Sequence, residues 1–372
     1  MIYRRYPWLG SGAGEAAVVI VICLLLMGVA PMALSDFRLN LLAKFLTFAI
    51  VAVSIDLIWG YAGMLSLGHG VFFALGAYAL AMHMKLESAL DGLPDFMGWS
   101  GLRELPWFWV PFGNAAFSLV MVVLMPALVA FGVGILVFRG RIQGVYFSII
   151  TQALALIFSL VFVGQQPYTG GTNGMTNFST LFGFPLQDPG MRYTLFALTV
   201  TFLGIAYGVL RWFTCSRAGR VLLAVRDQED RLRFFGYDPA VIKLGAFVTS
   251  AVLSGIAGAL FVAQVGIISP ANMGIVPSIE MVVWVAVGGR GTLIGPVLGA
   301  LLVNSAKSGL SESFPDIWQY FFGALFVIAV ILVPGGLVGM LRSAAARLAG
   351  RTPAPEPAHR MVGPASSVEV PT

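Results

Sequence analysis

Long apolar runs constrain this chain more than any other feature. They occupy residues 16–34, 39–59, 65–84, 117–138, 142–163, 193–213 and 241–264. At 1.5 Å per residue, a helix of about 20 residues crosses a hydrocarbon core of about 30 Å. Inside lipid the backbone must satisfy its own hydrogen bonds, which leaves helices or closed barrels, and the period-two alternation of barrel strands is absent. The expected fold is therefore all-α: a polytopic membrane helical bundle of about 8–10 transmembrane helices. Composition agrees, since 58% of the residues are hydrophobic and only 10% are charged, against about 25% charged in soluble domains. Segments 268–287, 293–310 and 318–334 fit three further spans, but Gly and Pro interrupt them, and the first reads equally as re-entrant.

The basic residues set the orientation. Arg4 and Arg5, Arg139 and Arg141, a cluster from Arg211 to Lys243, and Arg342, Arg347 and Arg351 fall on one side. By the positive-inside rule that side is cytoplasm. The stretches Lys85–Asn114 and Gly164–Phe178 then lie outside, and either eight or ten spans returns the C-terminus to the cytoplasm. Residues 1–15 are expected as a cytoplasmic N-terminus, 16–340 as the membrane domain, and 341–372, rich in Pro and small residues, as a disordered cytoplasmic tail. The first apolar run is too long for a secretory signal core and lacks a small-residue cleavage pattern, so it reads as a retained span.

Net charge is +5, but topology accounts for the Lys and Arg, and nucleic-acid binding gets no support. Cys23 and Cys215 are not expected to pair. The histidines are His69, His83 and His359, with no carboxylate cluster near them in sequence and no metal-ligand spacing; this disfavours an enzyme. A G-x-x-x-x-G-K-[ST] phosphate loop is missing too.

The stretch SRAGRVLLAVRDQEDRLRFFGYDP, residues 216–239, breaks the apolar pattern with nine of the chain's 39 charged residues. At 100° per residue, Val221, Val225, Gln228, Leu232 and Phe235 share one face, while Arg220, Arg226, Asp227, Asp230, Arg231 and Arg233 take the other. Residues 216–236 thus read as an amphipathic cytoplasmic helix, with Ser216 as N-cap, Gly236 as C-cap and Pro239 stopping it before the next span. It would either lie on the membrane or dock on a soluble partner; five Arg against four acids favour a protein groove over an anionic surface.

The run GRVLLAVRDQEDRLRFFGYDPAVIKLGAFVTSAVLSGIAGAL resembles the cytoplasmic loop and following span of branched-chain amino-acid type permeases of ABC importers. The resemblance extends through GYAGMLSLGHGVFFALGAYA, GVYFSIITQALA, TGGTNGMTNF and VVWVAVGGRGTLIGPVLGALLV, over roughly residues 40–340. Within that family, DLIWGYAGMLSLGHGVFFALGAY and LVNSAKSGLSESFPDIWQYFFGALFV look most like the urea permeases. The resemblance implies a transport subunit in the bacterial inner membrane carrying urea, or alternatively amino acids or short amides. It would bind no cofactor itself, ATP residing on a partner. Implied partners are a homologous second permease, two ATPase subunits and a periplasmic binding protein. The helix at 216–236 is implied to seat in a groove of the ATPase, with Arg217, Gly219, Arg220, Arg226, Glu229 and Asp230 as the contact set. An ion-coupled transporter or channel is the competing class, and it would need no such helix.

Polar residues inside apolar runs are the candidates for the transport path. Asp56 reads either as an interfacial carboxylate or as a group ordering the glycine-rich break after it. Ser66 and His69 lie in that break, flanked by Gly60, Gly63, Gly68 and Gly70; His69 reads equally as a path residue and as a bridge to a neighbouring helix. Tyr146, Thr151 and Gln152 follow, Gln152 reading either as a bridge between helices, the commoner use, or as a path residue with the donors and acceptors that complement a urea molecule. Thr172 and Asn173 in the outer loop, and Glu280 with Trp284 in a late span, complete the set, Trp284 reading also as a packing aromatic. A second glycine-rich break, GGRGTLIGP from Gly288, echoes GYAG from Gly60 and suggests duplicated halves.

Overall fold

The computed structural model describes residues 12–89, 93–142, 144–314, 320, 323–324 and 336–340. The apolar runs become helices α1 (Gly12–Ala33), α2 (Asp36–Asp56), α3 (His69–Ser88), α5 (Ala115–Arg139), α6 (Val145–Gly164), α7 (Pro189–Cys215) and α9 (Pro239–Val265), with a short helix α4 (Asp95–Trp99) on the loop after α3. The charged stretch forms α8 (Arg217–Phe234), and the late segments form α10 (Ile275–Gly288) and α11 (Ile294–Ser313). Helix α2 with its extension to Tyr61, and α5, α6, α7 and α9, are long and apolar enough to cross a membrane. The fold is a polytopic helical membrane bundle. The expected span at 318–334 and the tail at 341–372 lie almost wholly outside the described residues.

Helix α3 is the hub. It is apolar all round, and every residue from His69 to Lys85 is buried, as expected of a helix enclosed by others. Small residues let α9 approach it: a side chain at Gly258 would run into the Phe73 carbonyl, and one at Gly76 into Gly255. Without a hydrophobic force between helices in lipid, such close backbone contact and interhelical hydrogen bonds hold them together. Helix α2 lies against α9, α7 and α11, burying Leu46, Ile50 and Val53.

Two of the expected boundaries shift. The run at 65–84 is helical only from His69, because residues 62–68 are unwound. The run at 268–287 is not one span: it consists of strand β4 (Ile267–Ile268), a 3-10 turn Pro270–Met273 and α10. Fourteen residues reach only about 21 Å. Strand β4 pairs antiparallel with β1 (Met175–Thr176), so the chain returns to the loop between α6 and α7 before entering α10. A second small hairpin joins β2 (Thr180–Leu181) to β3 (Phe184–Pro185), and Glu87 accepts from Phe182 and Gly183 at its turn. Lys85, in the last turn of α3, bridges Asp95 at 2.8 Å and the Thr176 carbonyl at 2.8 Å.

Helix α8 starts where expected. The Ser216 hydroxyl accepts from Gly219 N at 3.4 Å, which satisfies one orphan donor of the first turn. Gly236 (φ +79°) ends it, with its N–H on Arg233 O at 3.0 Å, and Asp238 caps α9, whose first residue is Pro239. The expected apolar stripe, however, is wrong beyond Val225. Gln228 has φ −158° and ψ 88°, and this kink resets the 100° phase. The buried face is Gly219, Leu222, Leu223 and Val225; Gln228 is exposed, and Phe234 and Phe235 project outward at 90% and 77% exposure.

Candidate functional site

After Asp56 the α2 helix widens into a π-turn, Leu57–Tyr61, and then unwinds to Gly68. Here the two glycine-rich breaks meet. A Cβ on Gly60 would lie 2.5 Å from Gly291 N, so only glycine permits the contact. Asp56, fully buried, bridges the breaks: its carboxylate accepts from Gly291 N at 2.5 Å and from Leu293 N at 3.1 Å. These are backbone donors of the turn that leads into α11, Leu293 being its N-cap. The Thr292 hydroxyl closes the same turn, donating to Gly289 O at 2.7 Å and accepting from Gly295 N at 3.0 Å. Of the two readings open for Asp56, ordering the break is the one its geometry fits.

Helix α8 reaches this junction directly. Arg226 Nη1 donates to Gly60 O at 2.6 Å, its stem lying against Gly63 (φ +74°). Glu229 pairs with Lys243 on α9 and with Arg233 at 3.0 Å. The Lys243 and Glu229 side chains are only 7% and 12% exposed, so this ion pair clamps α8 to α9. Of the six expected contact residues, Arg226 and Glu229 therefore bind within the chain. Gly219 is buried, with Phe213 O 2.6 Å from where a side chain would begin, and it serves packing against the end of α7. Arg220, half-buried, donates to Cys215 O at 3.4 Å. Arg217 and Asp230 remain exposed. Phe234, Phe235 and Tyr237 join them on the outside, a patch that periodicity hid by placing Phe235 inward.

The unwound segment is fully stitched. Ser148 on α6 donates to Leu65 O at 2.6 Å, and Thr151 accepts from Leu67 N at 3.0 Å while donating to Ser148 O. His69 is buried between Ser66 (Nδ1, 3.0 Å) and Ser250 of α9 (Nε2, 2.8 Å). Ser250 gives its one proton to Ser54 O at 2.6 Å, so His69 Nε2–H donates to Ser250 and Ser66 donates to Nδ1. This is the neutral Nε2–H tautomer, and both ring nitrogens are matched. Ser54 and Ser254 hydroxyls, 2.9 Å apart, extend the seam between α2 and α9. Ser66, His69 and Thr151 thus come together around the break, with their polar atoms engaged in holding it.

The other candidates are dispersed. Tyr146 is 72% exposed on the outside of α6. Gln152 is half-buried and has no side-chain hydrogen bond among the described residues. Thr172 and Asn173 are exposed in a 3-10 turn after Gly170 (φ +81°). Glu280 and Trp284 share a face of α10: Glu280 pairs with Lys307 of α11 at 2.5 Å, and Trp284, 2% exposed, stacks on Phe48 of α2 at 4.8 Å. Sequence reasoning passed over Lys44, Lys243, Ser250 and Lys307. The two lysines at 44 and 307 were visible as charges within or beside apolar runs; Ser250 carried no signal, since its partner lies 181 residues away. Cys23 and Cys215 are both free thiols.

A model of the family described as branched-chain amino acid transport system / permease component matches residues 37–330. The high-affinity branched-chain amino acid transport system permease protein LivM of Escherichia coli (strain K12) is 28% identical over 358 residues, covering 89% of this chain and 77% of that protein. The corresponding permease protein BraD of Pseudomonas aeruginosa is 24% identical over 313 residues, 79% of this chain and 92% of its own length. The autoinducer 2 import system permease protein LsrC of Yersinia enterocolitica is 28% identical over 237 residues, 60% of this chain and 62% of that protein. No solved structure matches the chain.

Proposed function

Because this chain belongs to the permease-component family of branched-chain amino acid transport systems, we propose that it is the membrane permease subunit of an ATP-driven importer whose cytoplasmic helix α8 drives the broken helices. One observation carries the reading: Arg226 of α8 holds Gly60 O at the π-turn of α2, at the spot where Asp56 ties that turn to the start of α11. A push on α8 is delivered to two helix breaks at once. The Glu229–Lys243 clamp makes α8 and α9 move together.

In this reading the chain sits in the bacterial inner membrane with both termini cytoplasmic. It works beside a homologous second permease, two ATPase subunits that bind the ATP, and a periplasmic binding protein. The ATPase groove receives the outward surface of α8 and the turn after it: Arg217, Asp230, Phe234, Phe235 and Tyr237. Aromatic anchors beside mixed charges suit a protein groove, where buried aromatics supply most of the binding energy and charges fix register. The exchange of Phe234 and Phe235 for Ala should release the ATPase from the detergent-purified complex, by about tenfold or more in retained ATPase. Full retention would overturn the docking assignment.

Two solutes are supported. Urea rests on the resemblance of the α2–α3 region and on Gln152, a half-buried amide on α6 without a side-chain partner. A branched-chain amino acid is favoured by the relatives named for it. For urea, Gln152→Leu should lower uptake while the complex still assembles; parallel loss of both would make Gln152 a packing residue.

A further inference from the structure

The connection between α5 and α6 frames an open cleft that the coupling route does not use. Arg141 and Ile142 fold back on the end of α5, their N–H groups donating to Phe138 O at 3.2 Å and Val137 O at 3.1 Å. Arg141, Ile142, Tyr146, Ile149 and Ile150 line a cleft of about 360 Å³, within the size range of small-ligand sites. Its walls are isoleucine, and its rim carries one guanidinium and one phenol. Arg141 and Tyr146 are exposed, and among the described residues neither side chain has a hydrogen bond or an ion pair. Arg139, the last residue of α5, is exposed and without an ion pair as well.

The cleft opens onto a longer apolar surface. Tyr146, Ile149, Ala153, Leu156 and Leu160 recur at three- and four-residue spacing, so they share one face of α6, and all five are exposed. From Ile149 to Leu160 this row runs about 17 Å, close to the ~15 Å that one leaflet contributes to the hydrocarbon core. On a helix long enough to cross the membrane, such a row meets either lipid or another protein. Charge decides between them, because two unpaired guanidinium groups stand where the apolar row ends, and a packed protein partner would have to match both. A phospholipid answers both halves of the surface. Its acyl chain follows the row, and its phosphate meets a guanidinium, which takes two phosphate oxygens at once, with the phenol hydroxyl as a further donor. We propose that this cleft is a binding site for one anionic phospholipid, with the phosphate on Arg141 and Tyr146 and an acyl chain along Ile149 and the row beyond it. Basic clefts at the ends of membrane helices hold anionic headgroups by the same forces.

The full chain, purified in detergent, is titrated with phosphatidylglycerol or with phosphatidylcholine of identical acyl chains, and the lipids retained per chain are counted by native mass spectrometry. Wild type should hold one phosphatidylglycerol about tenfold more tightly than phosphatidylcholine, the scale of one charged hydrogen bond. Arg141→Gln should erase that preference. Tyr146→Phe should weaken phosphatidylglycerol binding about threefold, the scale of a neutral hydrogen bond, and Ile149→Trp, which fills the cleft, should weaken it with Arg141 still in place. All three positions are exposed, so each variant should keep the thermal midpoint of wild type. Equal affinities of wild type for the two lipids overturn the inference, as does a preference that survives Arg141→Gln or binding that ignores Ile149→Trp. Displacement of the lipid by excess glycerol phosphate overturns it too, because the apolar row would then contribute nothing. A chain that is dimeric in wild type and monomeric in Arg141→Gln, with lipid counts unchanged, makes this face a protein interface and overturns it as well.

Discussion

Substituting Asp56 probes the junction most sharply. Its carboxylate is inaccessible to solvent and accepts from Gly291 N and Leu293 N. Asp56→Ala strands both donors in the protein interior. Each unsatisfied buried donor costs about 1–3 kcal/mol, so the loss should come to about 2–6 kcal/mol. Leu293 adds to this, because its φ of +53° and ψ of −44° lie in a sparsely populated region that costs roughly 1–3 kcal/mol and holds only while its neighbours over-determine it. Asp56→Asn keeps one acceptor oxygen but turns an N–H₂ toward the other donor, for a loss of about 1–3 kcal/mol. The assay is the thermal midpoint of the detergent-purified complex, followed by size exclusion and paired with ATP-driven uptake. The midpoints should fall in the order wild type, Asn, Ala, and uptake should fall with them. If both variants unfold with wild type and transport normally, Asp56 does not bridge the breaks, and the coupling route argued here is wrong.

Gly60→Ala should assemble poorly or transport poorly, since its Cβ would meet Gly291 N at 2.5 Å and crowd the Asp56 carboxylate; overpacking of this kind costs about 1–3 kcal/mol. Normal uptake by that variant would mean the breaks do not touch. The Glu229–Lys243 pair should behave non-additively. Glu229→Gln strands the buried Lys243 ammonium, a loss of about 3–5 kcal/mol, whereas Lys243→Met leaves Glu229 paired with Arg233 and should cost less, and the double variant should recover most of the larger loss. Strictly additive midpoint shifts in a double-mutant cycle would count against a clamp between α8 and α9.

Much of this architecture was legible because lipid allows so few solutions. Apolar runs of sufficient length had to be helices, Ser216 and Gly236 offered caps for α8, and the glycines between Gly60 and Gly70 allowed the chain to unwind. What stayed hidden depended on partners distant in sequence. Nothing near Asp56 shows that its acceptors meet Gly291 and Leu293, more than 230 positions away. The echo between GYAG and GGRG hinted at duplication, but their mutual contact is a tertiary fact. His69 was balanced between two readings until Ser250 was placed beside it. Periodicity failed on α8 at Gln228 for a local reason: one residue outside helical φ/ψ rotates all that follows, and Phe235 turned from core to surface.

This chain should move solute only when an ATPase acts on it through α8. The direct measurement is uptake of labelled leucine and urea into proteoliposomes holding either this chain alone or the complete complex with binding protein, each with and without ATP. Accumulation should occur only with the complete complex and ATP. Equilibration of either solute through the chain alone, without ATP, would contradict it and return the protein to the class of channels and ion-coupled transporters.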